Sequence, residues 1–336
     1  MAMVRGKREL IARALGKSLL RPVSRALGQP GLLALTYHRV CDYDTLDDGV
    51  VSASVGEFEW QLSFLRETIR VLSGDEIVRY VRGELQLREP ALCITFDDGY
   101  ADNLEAGRIL SRAGLSAIFF VTTGFVGTDT ITHWDRISFA VKRTEETKLS
   151  LPGLGGKGPW SVEVAPRDLA SRELRNIYLT LPKAVQELFV SSIEKVAGAA
   201  AKDAERAHPP FMRWDDVRQL KALGHTIGAH THSHPILAQV PLEEQERELR
   251  TSRDVLGREL GQVTQLLAYP NGKSWSFSAQ TKELAQRVGF EAAFSFYGGR
   301  NPAEGFDPYD LRRVWVSPTE SRDLFRARIS FPQLLA

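Results

Sequence analysis

The sequence predicts an α/β fold of parallel strands, organised as one (β/α) barrel-like domain with extensions. Three observations point there. The length of 336 residues fits one such domain of roughly 250 residues plus additions. Short apolar runs alternate with helical segments, which is the grammar of βαβ units. Several of those runs end in polar residues, and barrel enzymes carry their chemistry at the C-terminal ends of strands.

In chain order, Gly28-Gln29-Pro30-Gly31 breaks a leading basic segment from Leu32–Tyr37, an apolar, β-compatible run that ends at His38. A helix is predicted over Ser54–Arg70 and a second buried strand over Ala91–Phe96, closed by Asp97-Asp98-Gly99. A helix over Tyr100–Ala113, ended by Gly114, and a strand over Ser116–Thr122 follow. Gly124–Pro210 breaks the rhythm with the Gly-rich run Gly153–Gly158 and a long, mostly helical piece, Arg167–Ala204, and reads as an insertion. The alternation resumes with a helix over Trp214–Leu223, a strand Thr226–Ala229 delivering His230, a helix over Leu242–Leu260 and a strand over Gln265–Ala268. A helix over Ser278–Val288 and strands over Ala292–Phe296 and Leu311–Val316 complete it. The expected organisation is an N-terminal helix over 1–30, one α/β domain over 31–320 with a helical insertion at about 125–210, and a C-terminal tail over 321–336.

Composition narrows the function. A hydrophobic share of 43% and a charged share of 25% are average for soluble globular proteins, which excludes disordered, collagen-like and coiled-coil classes. A formal net charge of +1 argues against a polyanion binder, so nucleic acid is not an expected partner. Cys41 and Cys93 lie far apart without a CxxC spacing, indicating neither a disulfide framework nor a thiolate metal site. No run approaches the ~18–20 apolar residues of a spanning helix, and the N-terminus lacks the apolar core of a secretory signal, so cytoplasmic placement is expected. Met1–Leu27 carries Arg5, Lys7, Arg8, Arg13, Lys17, Arg21 and Arg25 beside a leucine-rich stripe. It reads as a basic amphipathic helix that either packs on its own protein or makes peripheral contact with an anionic membrane surface.

Two motifs carry the chemistry. Thr95-Phe96-Asp97-Asp98-Gly99 sets adjacent carboxylates just past a buried strand, where like charges need a cation or a shared proton; a simple Asp-Gly turn is the alternative. His230-Thr231-His232-Ser233-His234-Pro235 packs three of the seven histidines into five residues. Pro235 disfavours helix at His234, so the segment reads as a turn that brings His230 and His234 round one ion, with His232 alternating away. Two imidazoles, a carboxylate and an open position make the catalytic zinc pattern.

Thr95–Gly99 together with His230–Pro235 resembles the first two motifs of the polysaccharide deacetylase family, the family 4 carbohydrate esterases, also called nodulation-type or chitooligosaccharide deacetylases. The resemblance spans roughly Leu32–Val316, interrupted by the insertion. It implies a distorted (β/α) barrel, Asp97 as general base, and Asp98, His230 and His234 as ligands of a divalent metal, with zinc suggested by the ligand types. It also implies an acetylated amino-sugar glycan as substrate. Tyr269-Pro270-Asn271-Gly272 matches the family's third motif, in which a backbone N–H after the proline serves the oxyanion; Asn271 is the candidate donor and a plain turn the alternative.

Two departures are visible. The arginine that usually precedes this proline by two positions is Ala268. Arg313 alternates onto the same face as Trp315 and is the candidate to orient Asp97, unless it makes a surface ion pair. No histidine follows His234, so the usual late Leu-x-His acid is missing. Leu35-Thr36-Tyr37-His38 resembles the start of a circularly permuted subset linked to exopolysaccharide synthesis, which assigns His38 as general acid, with a structural histidine as the alternative and His133 as a further candidate. Trp134, Trp214, Trp275 and Trp315 are sugar platforms or core residues, and His225 reads as packing behind the metal strand.

The sequence thus predicts metal-assisted removal of N-acetyl groups from an N-acetylglucosamine-containing glycan or precursor. The rivals are O-acetyl ester removal, a His-x-His amidohydrolase suggested by His230-Thr231-His232, and a carbohydrate-binding relative without turnover.

Overall fold

Leu32, Ala34 and Thr36 alternate with Leu33, Leu35 and Tyr37, and all six are buried. A strand buried on both faces belongs inside a parallel sheet. The computed structural model, which describes residues 29–204 and 210–330, contains such a sheet. Its nine strands are β1 (Gly31–Tyr37), β2 (Arg70–Val71), β3 (Pro90–Phe96), β4 (Ile118–Val121), β5 (Thr226–Ala229), β6 (Leu266–Ala268), β7 (Ala292–Phe294), β8 (Asn301–Pro302) and β9 (Arg313–Trp315). The order is β7-β6-β5-β4-β3-β1-β8, with β9 also on β1 and β2 on β3. Pairing is parallel except for β8 on β1. A parallel bridge between Phe294 and Leu311, just ahead of β9, nearly closes the sheet into a barrel.

The period of two sorts side chains into two cores. Leu32, Ala34, Cys93, Ile118, Phe120 and Phe294 fill the barrel interior. Leu33, Leu35, Leu92, Ile94 and Phe119 face outward onto the helices. Those helices are α1 (Val55–Thr68), α3 (Asn103–Arg112), α4 (Trp214–Ala222), α5 (Leu242–Leu260), α6 (Ala279–Val288) and α7 (Arg322–Ser330), whereas α2 (Gly74–Val81) packs Ile77, Val78 and Tyr80 with the interior cluster. Gly228 faces Phe120 across the sheet, and a Cβ there would fall 2.4 Å from the ring, so β5 needs glycine for β4 to point an aromatic inward.

Helix starts follow local chemistry. Ser54 caps α1 by accepting from the Glu57 N–H, and Ser73 with Glu76 forms a full capping box on α2, a helix absent from the sequence reading. The stretch read as a C-terminal tail, 321–336, is corrected over Arg322–Ser330, which is α7. Phe325 of this helix is 1% exposed and packs edge-on against Trp60 and Phe64, so burial of an apolar face ties it down. Met1–Leu27, read as a basic helix, lies outside the described residues. No helix among the described residues is long and apolar enough to cross a membrane.

Asp129–Pro210 with Asp42–Val51 forms a second compact unit. Helices His133–Arg143, Arg167–Thr180 and Lys183–Ala197 share a core with a hairpin of Lys148–Leu151 and Trp160–Glu163. Gly153–Gly158 lies in the loop of that hairpin, where the sequence reading saw a Gly-rich run and no strands. The alternating burial of Leu149 and Leu151 is the strand pattern that reading passed over.

Candidate active site

Strand register assembles the site at the C-terminal ends of the parallel strands. Tyr37 pairs with Phe96, so His38 and Asp97 leave neighbouring strands side by side. Val121 pairs with Ala229 and Ala229 with Leu267, which brings His230 beside the ends of β4 and β6.

Asp98, His230 and His234 offer ligand atoms that all lie within 4.8 Å of one another. Asp98 Oδ1 is 3.4 Å from His230 Nε2 and 3.3 Å from His234 Nε2, yet it is buried without a hydrogen-bond partner. An orphaned carboxylate oxygen facing two imidazole nitrogens is expensive unless a cation completes the group. His230 Nδ1 lies 2.8 Å from the Ala268 carbonyl, which only accepts, so Nδ1 carries the proton and Nε2 presents its lone pair to the site. Burial pushes the His234 imidazole below its ordinary value, which favours the neutral form a ligand needs. The donor set, two imidazoles and one carboxylate, fits a divalent metal with an open coordination position.

Asp97 sits in a different environment. Arg313 clamps it bidentately, Nη1 to Oδ1 at 2.6 Å and Nη2 to Oδ2 at 2.8 Å. The guanidinium also donates to Thr95 Oγ1 at 3.2 Å and, through Nε, to the Ser295 carbonyl at 3.0 Å. It lies among the rings of Phe120, Phe294 and Phe296 and is fully buried. Burial alone would raise the Asp97 carboxyl; Arg313 first, then His230, reverse this and hold it below the ordinary carboxylate value. Asp97 Oδ2 stands 4.0 Å from His230 Nε2, within reach of anything bound beside the imidazoles. Arg313 thus pairs with Asp97, while the Ala268 side chain fills the barrel interior and its carbonyl holds His230.

His38 is positioned through its own backbone: its N–H donates to Ser52 Oγ at 3.0 Å and its carbonyl accepts from Asn103 Nδ2 at 2.7 Å. Its ring lies 5.9 Å from that of Phe296, and Nδ1 is buried without a hydrogen-bond partner. Lys273, which sequence reasoning missed, places Nζ 5.1 Å from the same Phe296 ring, and burial pushes its pKa down. Asn271 has its Oδ1 buried and unpartnered. His133 stacks on Tyr178 inside the second unit, where Trp134 is also buried. Trp214 packs partly buried against the outer core, while Trp275 and Trp315 are 50% and 40% exposed and free to meet a ligand. His225 accepts from the Ala117 N–H and donates to the Gly107 carbonyl, a satisfied core position.

Backbone strain marks the same place. Among the described residues, the non-glycine positions with left-handed φ are Asp98 (73°), Thr231 (62°), His234 (60°) and Asn271 (61°). Each such residue costs roughly 1–3 kcal/mol and persists only where the surroundings over-determine it. All four fall in the three motifs picked out from sequence.

A buried acid and two histidines at the mouth of a (β/α) barrel, beside a carboxylate fixed by arginine, form a donor set of the class that suits a divalent ion. Comparison with known proteins narrows the class. Residues 174–293 match the family described as polysaccharide deacetylase, a span that holds His230, His234 and Asn271 but not His38, Asp97, Asp98 or Arg313. A curated protein of Bacillus subtilis (strain 168), YxkH, provisionally named a polysaccharide deacetylase, is 25% identical over 123 residues, 36% of this chain and 42% of its own length. Among solved structures, the Streptococcus pyogenes deacetylase PplD in complex with acetate superposes with a TM-score of 0.58 at 17% identity, covering 91% of this chain and 98% of its own. IcaB from Ammonifex degensii does so with a TM-score of 0.57 at 19% identity, covering 91% and 98%. A de-N-acetylase from Aggregatibacter actinomycetemcomitans gives 0.54 at 16% identity, covering 88% and 98%. Residues 174–293 thus resemble the polysaccharide deacetylase family, and the mostly parallel, nearly closed barrel is the fold shared with these solved structures.

Proposed function

We propose that this chain is a divalent-metal-dependent glycan deacetylase that hydrolyses N-acetyl groups on an amino-sugar substrate. The observation that carries the reading is the pairing, at one barrel mouth, of the Asp98–His230–His234 triangle with an Asp97 carboxylate locked by Arg313. One structural relative is a de-N-acetylase, which favours N-acetyl over O-acetyl chemistry.

Asp98, His230 and His234 would hold a divalent ion, with zinc suited to that donor set, and a bound ion would supply Lewis acidity and lower the pKa of water toward neutral. Asp97 is the general base. Held ionised by Arg313, it takes the proton as water adds to the acetyl carbonyl carbon. Asn271 donates to the oxygen on which charge develops. His38 delivers a proton to the amine nitrogen as the C–N bond breaks, so that acetate and a free amine leave. Trp275 and Trp315 offer exposed faces on which pyranose rings stack. A cytoplasmic setting, with the basic Met1–Leu27 segment at a membrane surface, belongs to the same proposal.

Acetate release from N-acetylated chitooligosaccharides tests the reading. Untreated or zinc-reconstituted protein is expected to release acetate, and chelation to abolish release until metal is restored. Stoichiometric metal binding without acetate from a panel of N- and O-acetylated glycans would contradict it and favour a carbohydrate-binding role.

A further inference from the structure

The metal-side loop Thr231–His234 is strained at both ends, with φ of 62° at Thr231 and 60° at His234. A β-branched threonine in the left-handed region is a marked outlier, so something outside the loop must hold it. One side of the hold comes from the segment after β4. The Thr123 N–H donates to the Thr231 carbonyl at 3.3 Å, the Gly124 N–H donates to the His232 carbonyl at 2.8 Å, and Thr123 Oγ1 sits 3.0 Å from His232 Nδ1. Gly124 has no room for a side chain, since a Cβ would meet the His232 carbonyl oxygen at 2.5 Å.

The other side is a single residue of α5. Glu248, 7% exposed, accepts the His232 N–H at 2.9 Å, the Ser233 N–H at 2.7 Å and the Ser233 hydroxyl at 2.7 Å. No ion pair to Glu248 is present among the described residues, so its charge is balanced by these three donors from the loop itself. They leave the loop little freedom except the one conformation that points His230 and His234 inward.

We propose that Glu248 is a positioning residue that preforms the metal site, with Thr123–Gly124 as the opposing jaw. This rests on the reading of Asp98, His230 and His234 as ligands. His232 is then part of the clamp, and the two flanking histidines are left for the ion. Preorganisation of this kind appears as metal affinity, because a relaxed loop must be re-ordered each time an ion binds.

The test is zinc alone, titrated into metal-free full-length protein against a chromophoric chelator, for wild type, Glu248→Gln, Glu248→Ala, Gly124→Ala and His230→Ala. Glu248→Ala is expected to weaken zinc binding by about 10–100-fold. Glu248→Gln keeps one carbonyl acceptor and should fall between it and wild type. Gly124→Ala pushes the loop from the other side and should also weaken zinc. Acetate release by the zinc-saturated Glu248→Gln variant should keep KM and lose mainly kcat, which a general loss of fold would not produce. If His230→Ala abolishes zinc binding while Glu248→Ala and Glu248→Gln stay within twofold of wild type, the clamp is overturned and the ligand reading stands. If His230→Ala leaves zinc binding intact, the ligand reading itself fails. Should Glu248→Ala not fold, Glu248→Gln and Gly124→Ala decide the question.

Discussion

Asp97 and Asp98 are consecutive in sequence and equally buried, yet they belong to two differently built halves of one site. The Asp97 half is an ion pair with Arg313, whose guanidinium is in turn held by Thr95 and the Ser295 carbonyl. The Asp98 half is open: two imidazoles and a carboxylate oxygen face one another with no hydrogen bond to complete that oxygen, on backbone held in left-handed turns. The first half is finished by protein alone, and the second, in the function proposed, would be finished by an ion. A base must start ionised, which a guanidinium favours, whereas a metal site must leave a place for something absent from the chain.

The largest effect should come from the open half. His230→Ala is expected to weaken zinc binding by more than about 100-fold, beyond the loss caused by removing a ligand's hydrogen-bond partner, with calorimetric titration as the check. Metal affinity within a few-fold of wild type would erase the distinction between the halves.

The Asp97 half should respond in stability and pH dependence. Arg313→Met leaves a buried carboxylate without its cation and should cost about 3–5 kcal/mol in chemical denaturation of metal-free protein. The pH sign follows from Asp97, whose folded pKa lies below its ordinary value of 3.8. In wild type its stabilising contribution is fully present above that value and fades only as pH falls through the lower folded pKa. In Arg313→Met, burial dominates and raises the folded pKa, so the contribution is present at low pH and lost as pH rises. The acid limb of kcat/KM should move to higher pH accordingly. Identical pH profiles would mean that Arg313 does not set the Asp97 charge.

The smallest effect concerns the turn at Asn271. Its φ of 61° suits glycine, so Asn271→Gly should stay within about 1 kcal/mol of wild type, while Asn271→Ala should be less stable than Asn271→Gly by about that amount. Thermal unfolding of the pair measures this, and kcat should hold in Asn271→Gly, which keeps the backbone N–H that serves as donor.

Much of the barrel was legible because buried parallel strands and their polar ends write themselves in runs such as Ala91–Phe96 followed by Asp97. Arg313 was legible through alternation, since its register partner Ala34 faces the barrel interior. The missed α2 had a signal, the Ser73–Glu76 capping box. The helix α7 was passed over as a tail, although Phe325 and Ile329, four residues apart, bury one side of it. Glu248 left no signal at all: within Leu242-Glu243-Glu244-Gln245-Glu246-Arg247-Glu248 it reads as one charge of a solvated face, and only the tertiary fold brings it to the His232–Ser233 peptides.

The most direct test of the two-half site compares Asp97→Asn with Asp98→Asn for zinc content and acetate release under one condition. Asp97→Asn should retain about one zinc per chain and lose acetate release by at least about 100-fold. Asp98→Asn should lose both. Zinc lost from Asp97→Asn, or retained at wild-type affinity by Asp98→Asn, would contradict the division of labour between these neighbours.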